Sequence, residues 1–175
     1  MTPDLLNPYQ AEFWIRILSA IACGGIIGLE RQIRGKPAGI RTCILICMGT
    51  HFFVVLGASF APETADPTRV LGQVVTGIGF LGAGVILTRE GLVVGVTSAA
   101  VIWLLAAIGA MIGLGHVAAA LTVSFITVIV LVGVERLEKT SKTLRRGVHA
   151  WRSSLASSAN GTVTGGEDAP VAPGE

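Results

Sequence analysis

Five apolar runs divide this sequence, at 13–29, 42–60, 70–87, 96–114 and 117–134, and a polar break separates each from the next. About 20 helical residues cross a hydrocarbon core of roughly 30 Å, so each run is close to the minimum length for a span. Strands of a membrane barrel would be about half as long and would alternate in polarity. These runs are apolar on every side, and a helix satisfies its own backbone hydrogen bonds in lipid. Composition agrees, with 51% hydrophobic and 14% charged residues, values outside the usual range of a soluble domain. The sequence therefore reads as an all-α membrane protein, a bundle of about five transmembrane helices.

The cations set the expected orientation. Arg31, Arg34, Lys36 and Arg41 lie between the first two runs, Arg89 between the third and fourth, and six more after the fifth, so eleven of the thirteen Lys and Arg share one side. An excess of Lys and Arg marks the cytoplasmic side, which predicts an external N-terminus and a cytoplasmic C-terminus. Four segments follow: 1–12 external, 13–135 the five-span domain, 136–152 a basic cytoplasmic helix extension, and 153–175 a disordered tail rich in Ser, Gly, Ala and Pro. The opening "MTPDLLNPYQ" lacks the basic n-region of a cleaved signal peptide, so the first span is expected to remain.

The stretch "TGIGFLGAG", Thr76 to Gly84, has the spacing G-x-G-x-x-G at Gly77, Gly79 and Gly82. A dinucleotide-binding turn needs a preceding strand, a helix opening from it and an acid about 20 residues later. An apolar span supplies none of these, and Glu90 follows too soon. Lipid tails are as apolar as helix surfaces, so small residues that let backbones approach supply much of helix association in membranes. Gly72, Gly77, Gly79, Gly82 and Gly84 are accordingly read as a helix-packing motif, and Ala20, Gly24 and Gly28 as a second small-residue seam. Cys23, Cys43 and Cys47 all fall within spans and read as small packing residues. The β-branched flanks of Arg89-Glu90-Gly91 predict a short hairpin within Val85 to Val96.

Ionisable groups at membrane depth are functional candidates. Glu12 and Arg16 are spaced to pair, with Arg16 able to snorkel outward. Glu30 and Arg41 bracket the first cytoplasmic turn, which Glu30 either anchors by pairing with one of its four cations, as part of a topology-fixing loop, or serves functionally. His51, central in the second run, either makes an interhelical hydrogen bond or carries a proton. Asp66 either caps the third helix or, with Arg69 and Gln73, forms a polar external mouth.

Three ordered motifs, "IGLERQIRGKPAGIRT", "DPTRVLGQVVTGIGFLGAGVIL" and "GVTSAAVIWLLAAIGAMIGLG", together resemble the transmembrane domain of the MgtC/SapB family of bacterial inner-membrane proteins. The resemblance covers about Arg16 to Leu131. Matching positions include Glu30, Arg31, Ala38, Gly39, Arg41, Thr42, Gln73, Gly77 to Gly84, Thr97 and Trp103, with Ser98 standing for a usual Thr. It adds Thr97 to the candidate polar residues and implies a multi-pass protein of the inner membrane. It further implies a link to growth under magnesium limitation, to survival of pathogens inside macrophages and, in some members, to restraint of the F-type ATP synthase. Many members carry a folded cytoplasmic C-terminal domain, for which the tail here is too short and polar.

Mg²⁺ prefers octahedral oxygen ligands, usually with carboxylates. Glu12, Glu30, Asp66, Glu90 and Glu135 all lie at span edges, which speaks against a dedicated cation path. The preferred reading is a regulator of other membrane proteins that supports Mg²⁺ homeostasis, with a small ion transporter or channel as the alternative. Expected partners are the lipid bilayer and other membrane proteins or further copies of this chain, with no nucleic acid. No Ser-His-Asp set or metal-ligand cluster points to an enzyme, and no cofactor is expected beyond a possible role for Mg²⁺ itself.

Overall fold

The computed structural model describes residues 6–60, 66, 68–89 and 92–140. Five helices follow in order: α1 (Ala11–Ile33), α2 (Ile40–Phe60), α3 (Thr68–Ala83), α4 (Val96–Gly113) and α5 (Val117–Thr140). Between α3 and α4 lies a hairpin of β1 (Leu87–Arg89) and β2 (Leu92–Val94), antiparallel with Leu87 opposite Val94 and Thr88 opposite Val93. The hairpin is where the sequence predicted it, although its Glu90-Gly91 tip is outside the described residues.

Among the described residues, α1, α2, α4 and α5 are long and apolar enough to cross a membrane. The third expected span is shorter than its apolar run. With 16 residues, α3 is about 24 Å long at 1.5 Å per residue. The helix ends at Ala83 because Gly84 and Val85 turn the chain, and Leu87 then pairs in the hairpin. At the other extreme, α5 runs six residues past the expected end at Val134. The basic segment beyond Thr140 and the tail from 153 lie outside the described residues.

Two tight reversals join the long helices. After α1, Lys36 N–H donates to the Arg31 carbonyl and Gly35 N–H to that of Gln32, with Gly35 at φ 61°. After α4, His116 N–H donates to Met111 and Gly115 N–H to Ile112, with Gly115 at φ 90°. Both are Schellman closures, which return helix-end carbonyls to hydrogen bonds through a left-handed residue that glycine adopts without steric cost.

The centre of the bundle is α2, held between α1 and α4. A Cβ at Gly24 would lie 2.7 Å from the Cys43 carbonyl oxygen, and one at Gly28 would lie 2.6 Å from Ile40 Cα. On the opposite side, a Cβ at Gly109 would lie 2.5 Å from the Cys47 carbonyl oxygen, and one at Gly113 would lie 2.9 Å from Val54 Cβ. These helices therefore meet backbone to backbone, and the seam Ala20, Gly24, Gly28 is part of that contact. Cys23, Cys43 and Cys47 are buried, free thiols in the same layer.

The glycines of α3 behave differently from the packing motif read in the sequence. Cβ atoms at Gly72, Gly77 and Gly79 would meet nothing within 4 Å, and one at Gly84 would meet only its own preceding turn. Gly82 alone faces another helix, at an ordinary 3.7 Å from Ala99. The reason is placement: α3 sits at the margin of the bundle, chiefly against α4, so most of its small-residue surface points away from the chain. An apolar groove of about 680 Å³, lined by Leu45, Phe53, Val74, Gly77 and Leu81 among others, separates it from α2.

These contacts predict opposite outcomes for similar substitutions. Gly109→Leu forces a side chain into the Cys47 backbone and should cost well over the ~1–3 kcal/mol of ordinary overpacking, seen as loss of monodisperse protein on size exclusion. Gly79→Leu, placed in open space, should leave yield and melting temperature in detergent close to those of the unaltered chain.

A charged cavity at one end of the bundle

At the end where α1 finishes and α4 begins, a cavity of about 660 Å³ opens between α1, α4, α5 and the hairpin. The last turns of α1 supply its charges. Glu30 and Arg34 are one turn apart and pair at 2.6 Å; Arg34 also pairs with Glu135, which α5 reaches because it continues beyond its apolar run. Arg31 points the other way, and its Nη2 donates to Ser98 Oγ in the first turn of α4. Lys36 and Pro37 of the α1–α2 turn complete one wall, while Val85, Leu87, Val94 and the α5 residues Val130, Leu131 and Val134 form an apolar one.

Burial makes this arrangement unusual. Arg31 is 3% exposed and Glu30 9%, and charges are seldom buried so far without full compensation. Among the described residues, Arg31 Nε and Glu30 Oε2 have no hydrogen-bond partner. The first turn of α4 is open too: Ala99 N–H makes the first helical bond, to Gly95, and no side chain caps the turn. The amides ahead of Ala99 thus lack helical acceptors, as at any helix start. Gly95 is indispensable here, with φ 93° and a Cβ position that would collide with the Val85 carbonyl oxygen.

The opposite end holds a second buried arginine. Arg16, 7% exposed, pairs with Glu12 at 2.6 Å and donates through Nη1 to the Gly113 carbonyl at the end of α4. It does not snorkel outward; the guanidinium neutralises carbonyls that helix termination leaves unpaired. His51 lies nearby in sequence register, with its carbonyl 3.1 Å from where a Gly113 Cβ would be. Its side chain is buried, and among the described residues Nδ1 has no hydrogen-bond partner.

Of the residues singled out in the sequence, the fold brings Glu30 and Thr97 together in the charged cavity. Arg41 is exposed on the first turn of α2, Gln73 lines the α2–α3 groove, and His51 is enclosed in the bundle. Asp66 accepts from Thr68 N–H at 2.8 Å and from its hydroxyl at 2.7 Å, the geometry of a cap for α3, and Arg69 is exposed in that first turn. Arg31, Arg34, Lys36, Ser98 and Glu135 were not singled out as site residues. Arg31 and Ser98 belong to the quoted motifs, but only the fold shows that they touch.

A match to a family model, described as the MgtC family, covers residues 17–140. The chain belongs to the MgtC family. It is 50% identical over 129 residues to a protein of Escherichia coli K12 named "Putative magnesium transporter YhiD", covering 69% of this chain and 60% of that one. To Protein SrpB of Synechococcus elongatus it is 42% identical over 138 residues, covering 71% and 75% of the two chains. To Protein MgtC of Salmonella typhimurium it is 42% identical over 123 residues, covering 70% of this chain and 50% of the relative. The chain thus spans 60% of the length of YhiD and 50% of that of MgtC. No solved structure matches it.

Two measurements check this geometry. Arg34→Ala removes a cation that pairs with both Glu30 and Glu135, which should destabilise the protein by about 1–3 kcal/mol; adding Glu30→Gln should return part of the loss. The Asp66 carboxyl is held below its usual range by the Thr68 backbone N–H and then by the Thr68 hydroxyl. Its contribution is therefore present above the ordinary carboxylate pKa and lost as pH falls through the depressed one. Melting curves between pH 5 and pH 2, taken as about the relevant window, should show a steeper acid decline for the unaltered chain than for Asp66→Asn.

Proposed function

We propose that this protein supports Mg²⁺ homeostasis during magnesium limitation in the bacterial inner membrane, and that it does so by acting on other membrane proteins. Membership of the MgtC family and the names of its relatives support the link to magnesium. One structural observation favours regulation over transport. Glu12, Glu30 and Asp66 stand within about a turn of a helix end and Glu135 just past the apolar run of α5, whereas α1, α2 and α4 close on one another through backbone contacts at Gly24, Gly28 and Gly109. A Mg²⁺ path needs several oxygen ligands, commonly including carboxylates, to replace water on an ion that dehydrates reluctantly. The described bundle offers no group of three or more His, Cys, Asp or Glu suited to a metal ion.

In this reading the N-terminus is external and the charged cavity faces the cytoplasm, where the Lys and Arg excess belongs. The open face of α3, carrying Gly72, Gly79 and the exposed Phe80, serves other membrane proteins or further copies of the chain. Close approach of small residues is the usual basis for such association in lipid. Transport is the second reading, and the name of the E. coli relative favours it.

Flux separates the two. Reconstituted in liposomes at verified orientation and monodispersity, the chain should pass Mg²⁺ and protons no faster than empty vesicles. Flux above that background that disappears in His51→Ala or Glu30→Gln would establish transport and overturn regulation as the primary role.

A further inference from the structure

We infer that the cavity between Arg31, Lys36 and the first turn of α4 is a binding site for a phosphate group carried on a molecule that also offers a hydrogen-bond donor. The inference is independent of whether the protein regulates or transports. Its starting point is the imbalance inside the cavity. Arg34 pairs with one oxygen of Glu30 and also reaches Glu135, so one cation bridges the two carboxylates. Arg31 and Lys36 line the same cavity, and neither has a carboxylate partner within ion-pair distance among the described residues. Among the described residues its lining holds three cations and two carboxylates, an excess of one positive charge.

Three features define the chemistry the cavity accepts. Arg31 is almost wholly enclosed, spends Nη2 on Ser98 Oγ and keeps Nε unpaired. An arginine with donors to spare matches the several acceptor oxygens of a phosphate. Beside it, the start of α4, uncapped among the described residues, presents free amides and the positive end of its dipole, with exposed Thr97 and buried Ser98 in the cavity lining. Glu30 Oε2, also buried and unpaired, calls for a donor on the same ligand. A bare metal cation would face Arg31, Arg34 and Lys36 and would leave the α4 amides without an acceptor.

The apolar wall indicates the more fitting source. Val130 and Val134 of α5, with Leu87 of the hairpin, continue from the charged patch along the bundle surface. A glycerophospholipid with a hydroxylated anionic headgroup, such as phosphatidylglycerol, would place its phosphate on Arg31 and Lys36, a headgroup hydroxyl on Glu30 and its chains along α5. A soluble phosphate offers the same oxygens and, as monohydrogen phosphate, the same donor.

The test uses the full purified chain. Native mass spectrometry after exposure to equal phosphatidylglycerol and phosphatidylcholine reads lipid retention, and melting curves with inorganic phosphate read the soluble source. Lys36→Glu and Thr97→Ala alter exposed positions and should fold normally, while Arg31→Gln tests the buried donor with folding checked by size exclusion. The unaltered chain should retain phosphatidylglycerol preferentially. Lys36→Glu should weaken retention about tenfold, the equivalent of one charge-assisted contact. Stabilisation by inorganic phosphate that is lost in Lys36→Glu, without lipid preference, would equally establish the phosphate site and assign its occupant to solution. Equal retention by the unaltered chain and both folded surface variants, together with no phosphate-dependent stabilisation, would overturn the inference.

Discussion

Backbone contact around α2 is the constraint on which the rest of the structure depends. At Gly24, Gly28, Gly109 and Gly113 the neighbouring helices come closer than any side chain would permit. Hydrophobic burial gives helices little reason to associate within lipid, so the gain comes from dispersion between closely matched surfaces. Once α1 and α4 are seated on α2, both ends of the bundle are set. Arg16 meets Gly113 and Arg31 meets Ser98, fifteen residues apart on each helix, so the two run antiparallel in matched register. Each arginine answers a terminus of α4, one at its carbonyl end and one beside its first turn.

That register also creates the chemical asymmetry of the protein. At the Arg16 end the polar groups are largely consumed: Glu12 holds the arginine, the arginine holds a carbonyl, and Asp66 is spent on capping α3. At the Arg31 end the balance is left open, with buried donor and acceptor atoms facing a cavity of substantial size. Unpaired buried polar atoms cost stability, and among the described residues two of the three such side-chain atoms, Glu30 Oε2 and Arg31 Nε, lie at this end. The peripheral α3, loosely joined to α2 and presenting bare glycines, provides a second and physically different surface.

Much of the fold was legible because a membrane imposes simple rules. Apolar runs of spanning length read directly as helices, and the hairpin after α3 was legible from β-branched residues around Arg89-Glu90-Gly91. The seam at Ala20, Gly24 and Gly28 was legible from its spacing. The same rule left open where the richer glycine motif of α3 finds its partner, because spacing shows where backbones can approach and says nothing about whether the partner lies within the chain. The third span was overestimated for a related reason. Hydropathy does not distinguish Val85, Ile86 and Leu87 in a helix from the same residues entering a hairpin.

The sequence by itself determined the membrane environment, the all-helical class and the family, since run length, polarity and motif order are local properties of the chain. Glu30 and Thr97 could be nominated from it, but their relation to each other and to Arg31, Lys36, Ser98 and Glu135 could not. Those residues come from α1, its turn, α4 and α5, and they converge only because glycine contacts set how deeply the helices interlock. Which charges are shared, which are buried and which remain unanswered was decided by tertiary structure, because electrostatic balance depends on distance and solvent access and neither is written in the order of residues.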